Sequence, residues 1–72
     1  MRTFELDNRG LEPPEPMVRI LELIKDFEDG DQLVALMDRE PCLLYPELTR
    51  RGLDWDLEED EDTFILTIRR SA

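Results

Sequence analysis

Cys42 carries the only thiol of a 72-residue chain that contains no histidine. A single cysteine cannot form an internal disulfide, and without histidine the chain lacks the commonest general base and the commonest nitrogen ligand for metals. Cys42 follows Pro41 at the expected start of a helix, where a thiol can become more nucleophilic. It is therefore the one candidate nucleophile, although cysteine also packs as a small apolar residue in protein cores.

Two acidic residues, Glu12 and Glu15, flank a run of prolines just ahead of an amphipathic stretch. Proline suits the first turn of a helix because its missing N–H would be unpaired there in any case, and acidic residues suit the positive end of the helix dipole. Catalysis by a carboxylate pair requires a buried or strongly charged surrounding, which this spacing does not indicate. The segment is either a rigid recognition surface or only the start of a helix.

A third polar group, Asp38 to Glu40, follows an apolar run that we expect to be a strand. The predicted topology brings it near the proline segment, so the two could form one candidate binding surface. The alternative is an ordinary solvated loop. The residues of this candidate surface are Arg9, Glu12, Pro13, Pro14, Glu15, Pro16, Asp38, Arg39, Glu40 and Tyr45.

The acidic run from Glu58 to Asp62 is the remaining candidate for chemistry, as a site for a divalent cation. Calcium loops space their oxygen ligands so that they converge on the ion, and contiguous acids in a tight turn do not. We therefore interpret the run as a solvated turn. The sequence indicates no metal site and no cofactor.

Nine Lys and Arg against nineteen Asp and Glu give a formal charge of −10, which disfavours binding to nucleic acid and favours a protein partner with a basic surface. Whether Arg50, Arg51, Arg69 and Arg70 form a local basic patch stays open, as does the oligomeric state. The apolar runs are far shorter than the roughly 20 residues of a membrane span. The first residues show no signal or transit peptide, so we expect a cytoplasmic protein.

Hydrophobic periodicity predicts four strands and two helices within a single domain, residues 1–72. Alternating residues indicate strands, the last two joined as a hairpin, whereas spacings of three and four indicate helices. The order β-α-β-α-β-β predicts an α+β fold, a two-layer sandwich in which two helices cover one face of a four-stranded mixed sheet. The predicted elements are a strand at Thr3–Asp7, a helix from about Pro14 to Asp29-Gly30, a strand at Leu33–Met37, a helix at about Cys42–Arg51, and strands at about Leu53–Glu58 and Phe64–Ile68, with the turn at Glu59–Asp62.

This order, together with the segment Leu6-Asp7-Asn8-Arg9-Gly10-Leu11-Glu12-Pro13-Pro14-Glu15-Pro16, resembles the TusA/SirA-like family of small sulfur carriers. In that family a strand ending in L-D leads to G-L-x-C-P-x-P and then into the first helix. The resemblance covers nearly the whole chain, through Gly30-Asp31, Asp38 and Gly52. The matching residues of the motif are Gly10, Leu11, Pro14 and Pro16.

The chain departs from the family at the residue that carries sulfur. Pro13 stands where the sulfur carriers have their persulfide cysteine, and proline offers no nucleophilic atom. The G-L-E-P-P-E-P form resembles a separate branch that is a domain-of-unknown-function family. Many of its members carry a histidine at the position of Arg39, so the resemblance implies an altered binding property there.

The sequence thus favours a non-enzymatic protein-binding or adaptor module that acts through the candidate binding surface. One alternative is a sulfur-transfer or redox protein in which Cys42 replaces the missing thiol. Another is a module that binds a small ligand near the carboxyl ends of the parallel strands.

Overall fold

Four strands form a mixed sheet in the order β1-β2-β4-β3. β1 pairs in parallel with β2, whereas β4 lies antiparallel to both β2 and β3. This computed structural model describes residues 1–71, and it confirms the α+β class and the four-stranded mixed sheet with two helices. The elements are β1 (Thr3–Asp7), α1 (Glu15–Ile24), β2 (Gln32–Met37), a 3₁₀ turn (Cys42–Leu44), α2 (Tyr45–Arg50), β3 (Asp54–Asp60) and β4 (Thr63–Arg69).

One hydrophobic core lies between the helices and one face of the sheet. Alternate residues of the two central strands point into it, and Leu33, Ala35 and Leu66 are fully buried. The buried positions of α1 and α2 meet them, as the helical spacing of three and four predicts. Among residues 1–71, no helix is long and apolar enough to cross a membrane. The buried apolar residues are Ile20, Ile24, Phe27, Leu33, Ala35, Met37, Leu44, Leu48, Leu53, Leu66 and Ile68.

Helix α1 ends at Ile24, earlier than the predicted end near Asp29-Gly30. The backbone tightens after it, because the N–H groups of Asp26 and Phe27 donate to carbonyls only three residues back. Phe27 nevertheless remains in the core, where its ring stacks on Phe4 with centroids 6.0 Å apart. The helical spacing of apolar residues therefore continues beyond the end of the helix, because Phe27 supplies the next buried side chain from a loop.

The second helical segment consists of the 3₁₀ turn followed by α2, whereas a single helix over about Cys42–Arg51 is predicted. The N–H of Tyr45 donates to the carbonyl of Cys42, three residues back, and α2 begins there. Pro46 has no N–H with which to continue regular α-helical bonding to Cys42. The turn of the hairpin is also shorter than the predicted turn at Glu59–Asp62. The two strands pair as far as Asp60 and Thr63, so the turn contains only two residues.

The carboxylate of Asp31 joins three parts of the chain at the amino end of the parallel strands. It accepts a hydrogen bond from the backbone N–H of Arg2 at 2.9 Å, another from the N–H of Glu28 at 2.9 Å, and two from the Arg2 guanidinium at 2.7 and 3.2 Å. Asp31 is only 1% exposed. The bond from the Arg2 guanidinium, followed by that from the Glu28 N–H, holds the pKa of Asp31 well below its usual 3.8.

This pairing predicts an acid-sensitive fold. Because the folded state lowers the pKa of Asp31, its ionised carboxylate stabilises the fold above about pH 4, and this stabilisation is lost as the pH falls further. Urea unfolding between about pH 5 and about pH 2 should show a shallower loss of stability in Asp31→Asn than in the wild type. Asp29→Asn removes an exposed carboxylate two residues away and should keep the wild-type slope. Equal slopes for all three proteins would contradict the assignment.

Candidate functional site

Two loops meet at the carboxyl ends of β1 and β2. Parallel pairing places Asp7 beside Leu36, so the segments that follow both strands leave the same edge of the sheet. A carboxylate oxygen of Asp38 accepts a hydrogen bond from the N–H of Gly10 at 2.6 Å and ties the loops together. Gly10 has a φ of 81°, in the left-handed region that favours glycine.

A cavity of about 360 Å³ lies between these loops and the first turn of α1. This volume is at the lower end of the range of ligand pockets. Most of the wall is apolar, and charged groups from both loops interrupt it. The lining residues are Asn8, Leu11, Glu12, Pro13, Pro14, Pro16, Met17, Met37, Asp38, Arg39, Glu40, Pro41, Cys42, Leu43 and Leu44.

Asn8 is a buried polar residue in the cavity wall. Its backbone N–H donates to the Leu36 carbonyl at 2.8 Å, and its Nδ2 donates to the Pro16 carbonyl at 3.1 Å and contacts the Met37 sulfur at 3.5 Å. The side chain thus connects the end of β1 to the start of α1. Within residues 1–71, its Oδ1 is the one buried side-chain nitrogen or oxygen without a hydrogen-bond partner. A donor brought by a ligand or by water would complete it.

The structure brings together most of the predicted surface. Seven of its ten residues line the cavity, and so does Cys42, whose side chain is exposed. Three predicted residues do not line it, namely Arg9, Glu15 and Tyr45. The seven that do are Glu12, Pro13, Pro14, Pro16, Asp38, Arg39 and Glu40.

The residues outside the cavity have other contacts. The guanidinium of Arg9 donates to both carboxylate oxygens of Asp7, at 2.9 and 2.8 Å, and lowers the pKa of Asp7 to about 2. Tyr45 stacks on Trp55 with ring centroids 5.2 Å apart, and its hydroxyl donates to Glu40 at 3.2 Å. Burial, with the Glu40 carboxylate nearby, raises the pKa of Tyr45 to about 12. Tyr45 therefore positions Glu40 without reaching the cavity.

Several lining residues were absent from the predicted surface. Asn8 could have been found, because it continues the inward series of Phe4 and Leu6 at a spacing of two. Leu43 lines the cavity, but 82% of its surface is exposed. The residues that the sequence analysis missed are Asn8, Leu11, Met17, Met37, Pro41, Leu43 and Leu44.

Among residues 1–71, no three Cys, Asp or Glu side chains are grouped as metal ligands. The four arginines left open by the sequence all form ion pairs with carboxylates. Arg50 and Arg51 contact Glu47, Arg69 contacts Asp56 at 2.7 Å, and Arg70 contacts Asp29 at 3.3 Å.

The hydrogen bonds of Asn8 predict a stability effect with a pH signature. Asn8→Ala should lower the free energy of unfolding by about 1–2 kcal/mol, because it removes the bond to the Pro16 carbonyl. Asn8→Asp should cost more at neutral pH, because it buries a carboxylate without a cation. The difference between the two variants should shrink on acidification as the carboxyl becomes neutral. A constant difference across pH in urea unfolding would contradict this account.

One of the comparisons with known proteins identifies the family of this chain. No curated protein and no solved structure matches the chain at a significant level. A family model described as "Uncharacterized conserved protein (DUF2249)" matches residues 5–70. The match includes both loops of the cavity and all but the first two residues of β1. The chain therefore belongs to the DUF2249 family.

Proposed function

We propose that this chain is a non-enzymatic protein-binding module whose cavity receives an apolar side chain of a basic partner. The observation that carries the proposal is Leu43, which lines the cavity while 82% of its surface is exposed. An apolar side chain exposed beside an apolar cavity is suited to contact with a second protein, because both surfaces lose water together. A small molecule held inside the cavity would leave most of Leu43 in water.

The charges around the cavity support a basic partner. Three carboxylates, those of Glu12, Asp38 and Glu40, line it against the single guanidinium of Arg39. The hydroxyl of Tyr45 donates to Glu40 and so restricts that carboxylate. Complementary charge speeds encounter and selects partners more than it adds affinity. Lys or Arg residues that flank the apolar side chain of the partner would lie beside these carboxylates.

The relation to the TusA/SirA-like sulfur carriers is a further part of this proposal. The order β-α-β-α-β-β and the residues Gly10, Leu11, Pro14 and Pro16 support it. By that resemblance Pro13 occupies the place of the sulfur-bearing cysteine, and Pro13 lines the cavity. A binding role would thus use the position of the sulfur-bearing cysteine without sulfur chemistry. The cytoplasmic location stays a prediction.

Two charge reversals three residues apart test the binding proposal. Glu12 lines the cavity and Glu15 does not, although both are exposed and belong to the same segment. Proteins captured from a lysate of the producing cells should be depleted by Glu12→Lys and by Leu43→Ser and retained by Glu15→Lys. A captured protein should then bind the purified chain about three- to tenfold more weakly after Glu12→Lys, as expected for a charge pair at an interface rim.

The result that would overturn the proposal is equal capture by all four proteins. Equal loss with Glu12→Lys and Glu15→Lys would indicate attraction by net charge alone and would equally contradict a role for the cavity. Thermal unfolding of each variant shows whether it remains folded. A compound that raises the Tm of the wild type and of Leu43→Ser alike would favour the small-ligand alternative, because a molecule held inside the cavity leaves most of Leu43 in water.

Cys42 gives sulfur transfer a specific observation in its favour, since its exposed thiol lines the same cavity. In that alternative the Cys42 thiolate attacks the outer sulfur of a persulfide donor. A new sulfur–sulfur bond forms on Cys42, and the donor leaves as its thiolate. Intact mass after incubation with the donor should then rise by one sulfur in the wild type and stay unchanged in Cys42→Ala. An unchanged wild-type mass would remove this alternative.

A further inference from the structure

The second face of the sheet has an apolar centre that the core does not use. Val34 and Leu36 of β2 lie beside Thr67 and Ile65 of β4, respectively. All four are partly exposed, and none is among the apolar residues that pack against the core. Both helices bury their apolar residues on the opposite face. The centre of this face is therefore an unpartnered apolar strip along the two middle strands.

Acidic residues run along both outer strands of the same face. Strand register places Asp54, Asp56, Glu58 and Asp60 of β3 beside the outward residues of β4. On the other edge, Glu5 and Asp7 of β1 lie beside Val34 and Leu36. We call the four residues of β3 and the two of β1 the acidic rows.

Part of this charge is already neutralised. Arg69 pairs with Asp56, and Arg9 pairs with Asp7. Within residues 1–71, Glu5, Glu58 and Asp60 form no ion pair, so both acidic rows retain free carboxylates.

The spacing of the acidic rows fits an α-helix. Neighbouring strands are about 4.8 Å apart, which puts the outer strands of a four-stranded sheet about 14 Å apart. An α-helix with its side chains is about 10–12 Å wide, so it can lie on the central strip with its flanks toward both rows. The seven residues of β4 extend about 24 Å, the length of about 16 helical residues.

We propose that this face binds an amphipathic helix of a protein partner, with small or aliphatic residues on one side and Lys or Arg along both flanks. The apolar side covers Val34, Leu36 and Ile65, and the basic flanks meet the acidic rows. The site is separate from the cavity, which lies on the other side of the sheet among the loops. The partner helix adds a third layer to the two-layer fold.

Charge disfavours a second copy of this chain as the occupant. Two copies placed face to face would set acidic rows against acidic rows, since both edges of the face carry the same sign. Like charges opposed at an interface cost free energy, whereas a basic helix gains from the same arrangement.

A designed peptide tests the proposal with a matched pair of variants. The probe is a 16-residue helical peptide with Leu and Ala on one face, Lys along both flanks and Ser and Gln outside. In a ¹H–¹⁵N NMR titration of the full chain, the peptide should shift the backbone amide signals of residues around Val34, Leu36 and Ile65. Glu58→Lys should raise the Kd about three- to tenfold, and Glu59→Lys, one residue along β3 on the opposite face, should change it by less than about twofold.

Four results would overturn the proposal. The first is the absence of saturable binding at millimolar peptide. The second is an equal effect of Glu58→Lys and Glu59→Lys, which indicates attraction by net charge alone. The third is a set of shifts centred on the cavity. The fourth is sedimentation of the chain as a dimer that the peptide does not dissociate. Glu12→Lys should leave peptide binding intact, so failure here is distinguishable from failure of the cavity proposal.

Discussion

The parallel pairing of β1 with β2 is the constraint on which the rest of the structure depends. It sends the segments after both strands to one edge of the sheet, and the cavity forms where they meet. The opposite ends of the two strands are held by Asp31, whose carboxylate binds the backbone of Arg2 next to the first paired residues. Asn8 performs the corresponding task at the cavity, where it joins the end of β1 to α1. Two buried polar side chains thus hold the ends of this parallel pair.

The sequence was sufficient for the fold because its local patterns agree with one another. Residues alternate in β3 and β4, so a slip of one residue in the hairpin would turn Leu66 and Ile68 away from the core. The run Leu33–Met37 fits a central strand, and the predicted topology brought the segment after it near the proline segment. Both inferences came from features with a short range or a fixed spacing. The predicted surface, together with Cys42, supplied eight of the fifteen residues that line the cavity.

What the sequence could not provide depends on distant contacts. Beyond the early end of α1, the carboxylate of Asp31 accepts a hydrogen bond from the N–H of Glu28, and Phe27 reaches the core from a loop. Periodicity cannot distinguish such a loop from another helical turn, because both place an apolar residue inward. The exposure of Leu43 likewise depends on how the 3₁₀ turn is oriented against the sheet. The roles assigned to the cavity, to Cys42 and to the sheet face with the acidic rows remain predictions.

The bond between Asp38 and Gly10 has a consequence for the timing of binding. It joins the two loops beside the cavity, yet its carboxylate is exposed, so water can replace it at the Gly10 amide. Breaking it leaves the pairing of β1 and β2 and the core beneath them intact. Loop motions of this kind take nanoseconds to microseconds, whereas small domains unfold over about a tenth of a second to days. The two loops can therefore separate and rejoin many times during the lifetime of one folded molecule.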